Sequence, residues 1–200
     1  MNWLDELNPA QRSAVECTEG PVMIVAGAGS GKTRVLTYRM AHLVRQGEDP
    51  FRMLALTFTN KAAGEMRERI EALIGPSARS LWMGTFHSVF ARILRRHAEV
   101  LGYPSNFSIY DTDDTKSLIK TLVREMNLDE AYYKPSPLYA RISSAKNALI
   151  TPDEYQNDVG LMAGDRASGR ARFVELYRAY VQRCHRSGAM DFDDLLLQTF

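Results

Sequence analysis

The chain has 200 residues, 45% of them hydrophobic, and its 25 Lys and Arg against 24 Asp and Glu leave a formal net charge of +1. That length allows one large domain or two small ones with a real core, while near-neutrality excludes a generally basic body, so any nucleic-acid contact has to come from a local patch. Two distant cysteines, Cys17 and Cys184, exclude a disulfide framework or zinc spacing, and an acidic start with no apolar run of spanning length excludes signal-peptide and transmembrane readings. A protein of the reducing cytoplasm is expected.

In chain order, Leu7-Asn8-Pro9-Ala10-Gln11-Arg12 comes first. Asn8 is a good helix N-cap and Pro9 a good first helical residue, which puts Gln11 in the first turn. Its amide has one donor and one acceptor side to pair with the N6/N7 edge of adenine. Taken alone, a solvated helix-start glutamine is the better reading.

Val22-Met23-Ile24-Val25 is a continuous apolar run, expected to be a strand buried on both faces of a parallel sheet. Ala26-Gly27-Ala28-Gly29-Ser30-Gly31-Lys32-Thr33 follows, a phosphate-binding P-loop whose first position is Ala26 in place of glycine. Its glycines let the backbone curl into a ring of N–H donors, and the helix expected to open at Gly31-Lys32-Thr33 adds its partial positive charge. Lys32 is the expected contact of the β- and γ-phosphates, and the Thr33 hydroxyl the expected magnesium ligand. Leu36, Met40 and Leu43 are placed on that helix's inner face. A nucleoside triphosphate is the ligand this pattern implies.

Met53–Phe58 reads as a second buried strand, followed by a helix from about Lys61 to Ile74, with Ala62, Met66, Ile70 and Leu73 on one face. A third strand near Ser80–Phe86 leads into a helix with Val89, Ile93 and Val100 inward. This order predicts a parallel sheet with helical crossovers. Both later strands end in an aromatic beside short polar groups, Thr57-Phe58-Thr59-Asn60-Lys61 and Gly84-Thr85-Phe86-His87-Ser88. Carboxyl ends of parallel strands are where open α/β sheets bind ligands, and exposed rings there suit stacking of unpaired bases. Phe86 reads better as core; for Phe58 and His87 core and contact stay equally open. Arg92, Arg95, Arg96 and His97 spread over more than one helical face, so a solvated surface is the default reading.

From Asp111 onward only helical periodicity is found. Asp111 and Asp114 form an N-cap pair, Ser136-Pro137 opens a helix with Leu138, Ile142, Ala145 and Leu149 inward, and Thr151-Pro152-Asp153-Glu154 is a capping box. Arg170–Arg186 is a longer amphipathic helix, inward through Phe173, Leu176, Tyr177, Tyr180 and Cys184 and stopped by Gly188. Asp191-Phe192-Asp193-Asp194 follows turn chemistry, so it reads as an N-cap and not as the acidic strand end that a P-loop ATPase needs.

The four ordered motifs resemble those of superfamily 1 DNA helicases of the UvrD/PcrA/Rep type: the glutamine motif at Leu7–Arg12, the P-loop through Arg34, Thr57-Phe58-Thr59-Asn60-Lys61-Ala62-Ala63, and Gly84-Thr85-Phe86-His87-Ser88. The helical half is similar to that family's helical insertion, through Tyr110-Asp111, Met126-Asn127-Leu128-Asp129 and Met190-Asp191-Phe192. The resemblance implies an α/β P-loop NTPase of RecA-like fold with an all-helical inserted subdomain. It implies a partial motor domain over 1–110, the insertion over 111–190 and the start of the return over 191–200.

It further implies ATP with magnesium as cofactors and 3′-to-5′ movement along single-stranded DNA, with unwinding at junctions. Gln11, Ala28, Gly29, Ser30, Gly31, Lys32, Thr33 and Arg34 would bind the nucleotide. Lys32 and Thr33 would carry the catalytic roles, with Thr33 on the metal. Phe58, Thr59, Asn60 and His87 would meet the single strand. The acidic strand and the second motor domain would lie beyond Phe200, so the 200 residues are expected to be a fragment that binds nucleotide weakly without turning it over. The alternatives are the helicase subunit of a recombination nuclease, a non-catalytic nucleotide- or DNA-binding module and, last, a small-molecule kinase.

Overall fold

Asn8 starts the first α-helix: its side chain accepts from the Gln11 N–H, and the Gln11 side chain accepts in turn from the Asn8 N–H. This reciprocal cap satisfies two backbone donors that a helix start leaves unpaired. A computed structural model describes residues 3–200. The chain forms two units, one up to Val89 and one from Phe90 on.

In the first unit, α1 (Pro9–Glu16) is followed by α2 (Lys32–Arg45), β1 (Leu54–Thr57), α3 (Asn60–Ile74) and β2 (Trp82–Thr85). The strands pair in parallel, Leu54 opposite Trp82 through Thr57 opposite Thr85. With α3 between them they make the β–α–β unit expected of the sequence. Met40 of α2, Ala55 of β1, Met66 and Ile70 of α3 and Met83 of β2 share one apolar cluster. A second cluster joins Leu4, Leu7 and Val15 to Val35 and Tyr38 of α2, and so seats α1 against the helix that follows the glycine loop.

The expectation at Val22–Val25 needs correction. The segment is neither helix nor strand, and its side chains are 39%, 87%, 41% and 86% exposed in order. A strand exists only where a neighbour completes its ladder. Within this unit the only ladder among the described residues is between β1 and β2. Leu36 is exposed as well, because α2 turns Val35, Tyr38 and Ala41 inward beside Met40.

α4 (Phe86–His97) begins directly after β2 and runs into the second unit, which continues with β3 (Ser108–Tyr110), α5 (Thr112–Glu125), α6 (Pro135–Asn147), α7 (Pro152–Asn157), α8 (Val159–Ala167), α9 (Phe173–Arg186), β4 (Ala189–Asp191) and α10 (Phe192–Leu197). Its main core is helical: Ile119, Leu122 and Val123 of α5, Leu138 and Ile142 of α6, and Phe173, Leu176, Tyr177, Tyr180 and Cys184 of α9 are all buried. The three capping boxes at Asp111, Thr151 and Asp191 are formed. Val100 and Leu149, expected inward, are 85% and 42% exposed.

The reading of residues beyond 110 as helical alone also needs correction. Ala189–Asp191 is a buried strand, paired in parallel with β3 so that Tyr110 lies opposite Asp191. Three residues are too few to display a period of two, and the preceding Gly188, at φ +57°, carries the turn signal that masks the strand.

Candidate functional site

The glycine loop ends at Gly31, which sits in the left-handed region at φ +85° and caps α2 without a side-chain hydrogen bond. The positive φ is what favours glycine there; a Cβ would also fall 2.7 Å from the Gln11 amide nitrogen and displace that side chain. Lys32 opens α2 and folds back, donating to the carbonyl oxygens of Ala26 at 2.8 Å and Gly27 at 2.6 Å. Ser30 Oγ donates to the Gly27 carbonyl at 2.7 Å. Thr33 follows in the first turn of α2, exposed.

Gln11 comes to the loop from α1: its Nε2 donates to the Ser30 carbonyl at 3.0 Å. Asn8, Ala10, Gln11, Ile24, Ser30 and Lys32 are among the residues lining a cleft of about 200 Å³ between α1 and the loop. A purine-sized edge and a chain of phosphates would have their polar partners on this one wall. Arg34 turns elsewhere: it pairs with Glu6 at 3.0 Å, lies over the Tyr38 ring and lines a separate hollow with Thr37 and Arg69.

The second constellation stands where β1 and β2 end side by side. The register that sets Thr57 opposite Thr85 brings the next residues together, and the Phe58 and Phe86 rings lie 5.5 Å apart, tilted by 39°. Phe58 is 89% exposed, so it is no core residue. Thr59 caps α3 through its hydroxyl, which accepts from the Ala62 N–H, and Asn60 is the first residue of that helix. His87 lies in the first turn of α4, half-buried. Thr85 caps α4 by accepting from the Ser88 N–H. A Cβ at Gly84 would meet Ser88 Oγ at 2.6 Å and Val89 Cγ2 at 3.0 Å, so only glycine lets α4 start this close behind the strand.

Sequence reasoning missed a third group. Lys146, on the inner face of α6, is buried with Nζ 2.6 Å from Asp191 and 2.7 Å from Asp194. Tyr180 of α9 donates to the same Asp191 carboxylate at 2.6 Å. Burial alone would lower the ammonium pKa, but the facing Asp194 and Asp191 charges raise it instead. Burial, only partly offset by Lys146 and reinforced by the Asp191 charge, pushes Asp194 up to about 6. Asp191 is likewise opposed by burial, but the Lys146 charge and the hydrogen bonds it accepts hold it below the usual carboxylate range. The available signal was a lysine following Leu138, Ile142 and Ala145 on the apolar stripe. With both carboxylates engaged this way, the acidic run at 191–194 closes a helix start and a buried ion cluster.

These features define a class: a chain with a glycine loop hydrogen-bonded by the glutamine of a helix-capping box, and with paired strand ends that present an exposed ring. The chain belongs to the UvrD/REP helicase N-terminal domain family, whose sequence model matches residues 7–200. It is 45% identical over 197 residues to the ATP-dependent DNA helicase PcrA of Bacillus subtilis (strain 168), covering 98% of this chain and 26% of that protein. It is 47% identical over 195 residues to the protein of the same name from Leuconostoc citreum, covering 96% and 25%. The Staphylococcus aureus (strain Mu50 / ATCC 700699) relative, also named PcrA, is 45% identical over 197 residues. The chain spans about a quarter of the length of these relatives.

Proposed function

We propose that this chain is the nucleotide- and single-strand-binding part of an ATP-dependent DNA helicase that moves 3′ to 5′ and acts in DNA repair or replication in the cytoplasm. Residues 1–110 form part of a RecA-like motor domain, 111–190 a helical insertion, and 191–200 the return toward the motor domain. The observation that carries the reading is the hydrogen bond from Gln11 to the Ser30 carbonyl. It joins a base-reading amide and a phosphate-binding loop in one cleft.

Each residue has a definite task in that reading. Lys32 exchanges the Ala26 and Gly27 carbonyls for phosphate oxygens and places its charge where negative charge develops during transfer. The amides of Ala28–Gly31 cradle the remaining oxygens. Thr33 offers magnesium an oxygen of the hard type that the ion takes, and magnesium, when bound, neutralises the phosphate charge. Arg34, next after Thr33 in α2, lies close to the nucleotide. Phe58 stacks an unpaired base while Thr59, Asn60 and His87 hold the strand beside it. A second motor domain, as in the full-length relatives, completes the cleft and drives unwinding at single- to double-strand junctions.

Equilibrium titration of this chain with magnesium–ATP and with a single-stranded oligonucleotide tests the assignment. Lys32→Ala is expected to abolish the first and spare the second, and Phe58→Ala to spare the first and weaken the second. Wild-type chain that binds neither ligand contradicts it.

A further inference from the structure

Arg34 stands one residue beyond Thr33 in the first turn of α2, and its Cβ lies 3.8 Å from where a Cβ at Gly31 would be. Its stem therefore starts beside the glycine loop, but its guanidinium is drawn off to Glu6. Positive charge is unfavourable at a helix N-terminus, and the Glu6 carboxylate compensates it. A single oxygen of that carboxylate, Oε2, accepts from Arg34 Nη2 at 3.0 Å and from the Tyr38 hydroxyl at 2.6 Å.

The two donors are held very differently. Tyr38 is buried in the cluster that seats α1 on α2, and its ring stacks on Trp3 with centroids 5.2 Å apart. Burial above all raises its hydroxyl pKa, so it stays a neutral donor. The Arg34 and Glu6 side chains are 42% and 64% exposed. An ion pair that open is weakly held and yields to a competing anion. When Arg34 leaves, Glu6 keeps the Tyr38 hydrogen bond and gains water, so no carboxylate is stranded.

We propose that Glu6 is a positioning residue for Arg34: it holds the guanidinium aside from the glycine loop until a nucleotide takes it over. This rests on the nucleotide-site reading above. Binding is then an exchange of partners, in which Glu6 gives up Arg34 and keeps Tyr38. The resting contact opposes binding and lowers the affinity for nucleotide.

Glu6 lies outside the Asn8–Gln11 capping box, so its substitution leaves the start of α1 intact. Magnesium–ATP is titrated at low and moderate salt into wild-type chain, Glu6→Gln, Arg34→Met and the double variant, with thermal unfolding followed in parallel. Glu6→Gln is expected to tighten ATP binding by about 1.5- to 5-fold at low salt, the worth of one exposed ion pair. The gain should shrink as salt screens the pair. Arg34→Met should weaken binding, and in its background Glu6→Gln should give no gain. The same gain without Arg34 is relief of plain charge repulsion and overturns the proposal. Unchanged or weaker binding in Glu6→Gln overturns it as well, and a lowered melting temperature alongside reduces Glu6 to a stabilising contact. Wild-type chain that does not bind ATP overturns the nucleotide site itself, a result distinct from these.

Discussion

Lys32 and Phe58 carry opposite kinds of exposure, and their substitutions should behave accordingly. The lysine is satisfied by loop carbonyls at rest, so Lys32→Ala should leave the melting temperature nearly unchanged. In a protein of the relatives' full length it should lower the rate constant of ATP hydrolysis by at least about 10²-fold, as loss of charge stabilisation at a transferring group does. Phe58 is 89% exposed, so Phe58→Ala should weaken single-strand binding by about 1–3 kcal/mol, the contribution of one stacked base. A loss of stability with unchanged DNA affinity would return the ring to a packing role. Sequence left Phe58 open because an aromatic at a strand end looks the same whether it turns in or out. The parallel register of β1 and β2 decides the matter by putting Phe58 and Phe86 side by side at the ladder's end. Gln11 was legible as a first-turn residue of a capped helix, but its bond to the Ser30 carbonyl, 19 residues away, is a tertiary contact that no local pattern contains.

At the level of elements, the Lys146 cluster ties α6, α9 and the β4–α10 turn together, with Thr115 of α5 reached through the Tyr180 hydroxyl at 3.4 Å. Lys146→Met leaves two buried carboxylates without their cation and should cost about 3–5 kcal/mol in denaturant unfolding of the second unit. The groups that bear electrostatically on Asp194 include Lys146, Asp191, Tyr103, Tyr177 and Cys184. All three of those last groups are pushed up to about 12, mainly by burial, and stay neutral below that. Asp194 titrates at about 6 when folded against an ordinary 3.8, so the folded state holds the extra proton between those values. Its contribution to stability therefore falls as pH rises from 3.8 to about 6. Asp191, shifted the other way, contributes stability above 3.8 that is lost as pH falls through its lower folded value. Unfolding of wild type and Asp194→Asn compared across this range should show the difference moving in favour of the asparagine variant as pH rises. A difference independent of pH would contradict the assignment.

The same element shows where sequence reading stopped. Helices with capping boxes and long apolar stripes were legible because cap and period are both local, as at Thr151 and along α9. The apolar run at 22–25 was over-read, since hydrophobicity reports a wish for burial and not the presence of a ladder partner. β4 was under-read, since its pairing with β3 spans a long stretch of intervening helix and leaves no periodic trace.

For the whole molecule, membership of the UvrD/REP helicase N-terminal domain family covers nearly the entire chain, while the chain covers about a quarter of its relatives. No helix among the described residues is long and apolar enough to cross a membrane. The carboxylates at 191 and 194 are buried and paired with Lys146. The 200 residues alone are therefore expected to bind ATP without steady turnover, and sustained hydrolysis by this chain would show that its acidic groups have been misassigned. The most direct test of the account is ATP hydrolysis by a protein of the relatives' full length carrying this sequence, measured with and without single-stranded DNA. Hydrolysis stimulated by the DNA, lost in Lys32→Ala and less stimulated in Phe58→Ala, is the predicted result; hydrolysis indifferent to DNA, or undiminished in Lys32→Ala, would contradict it.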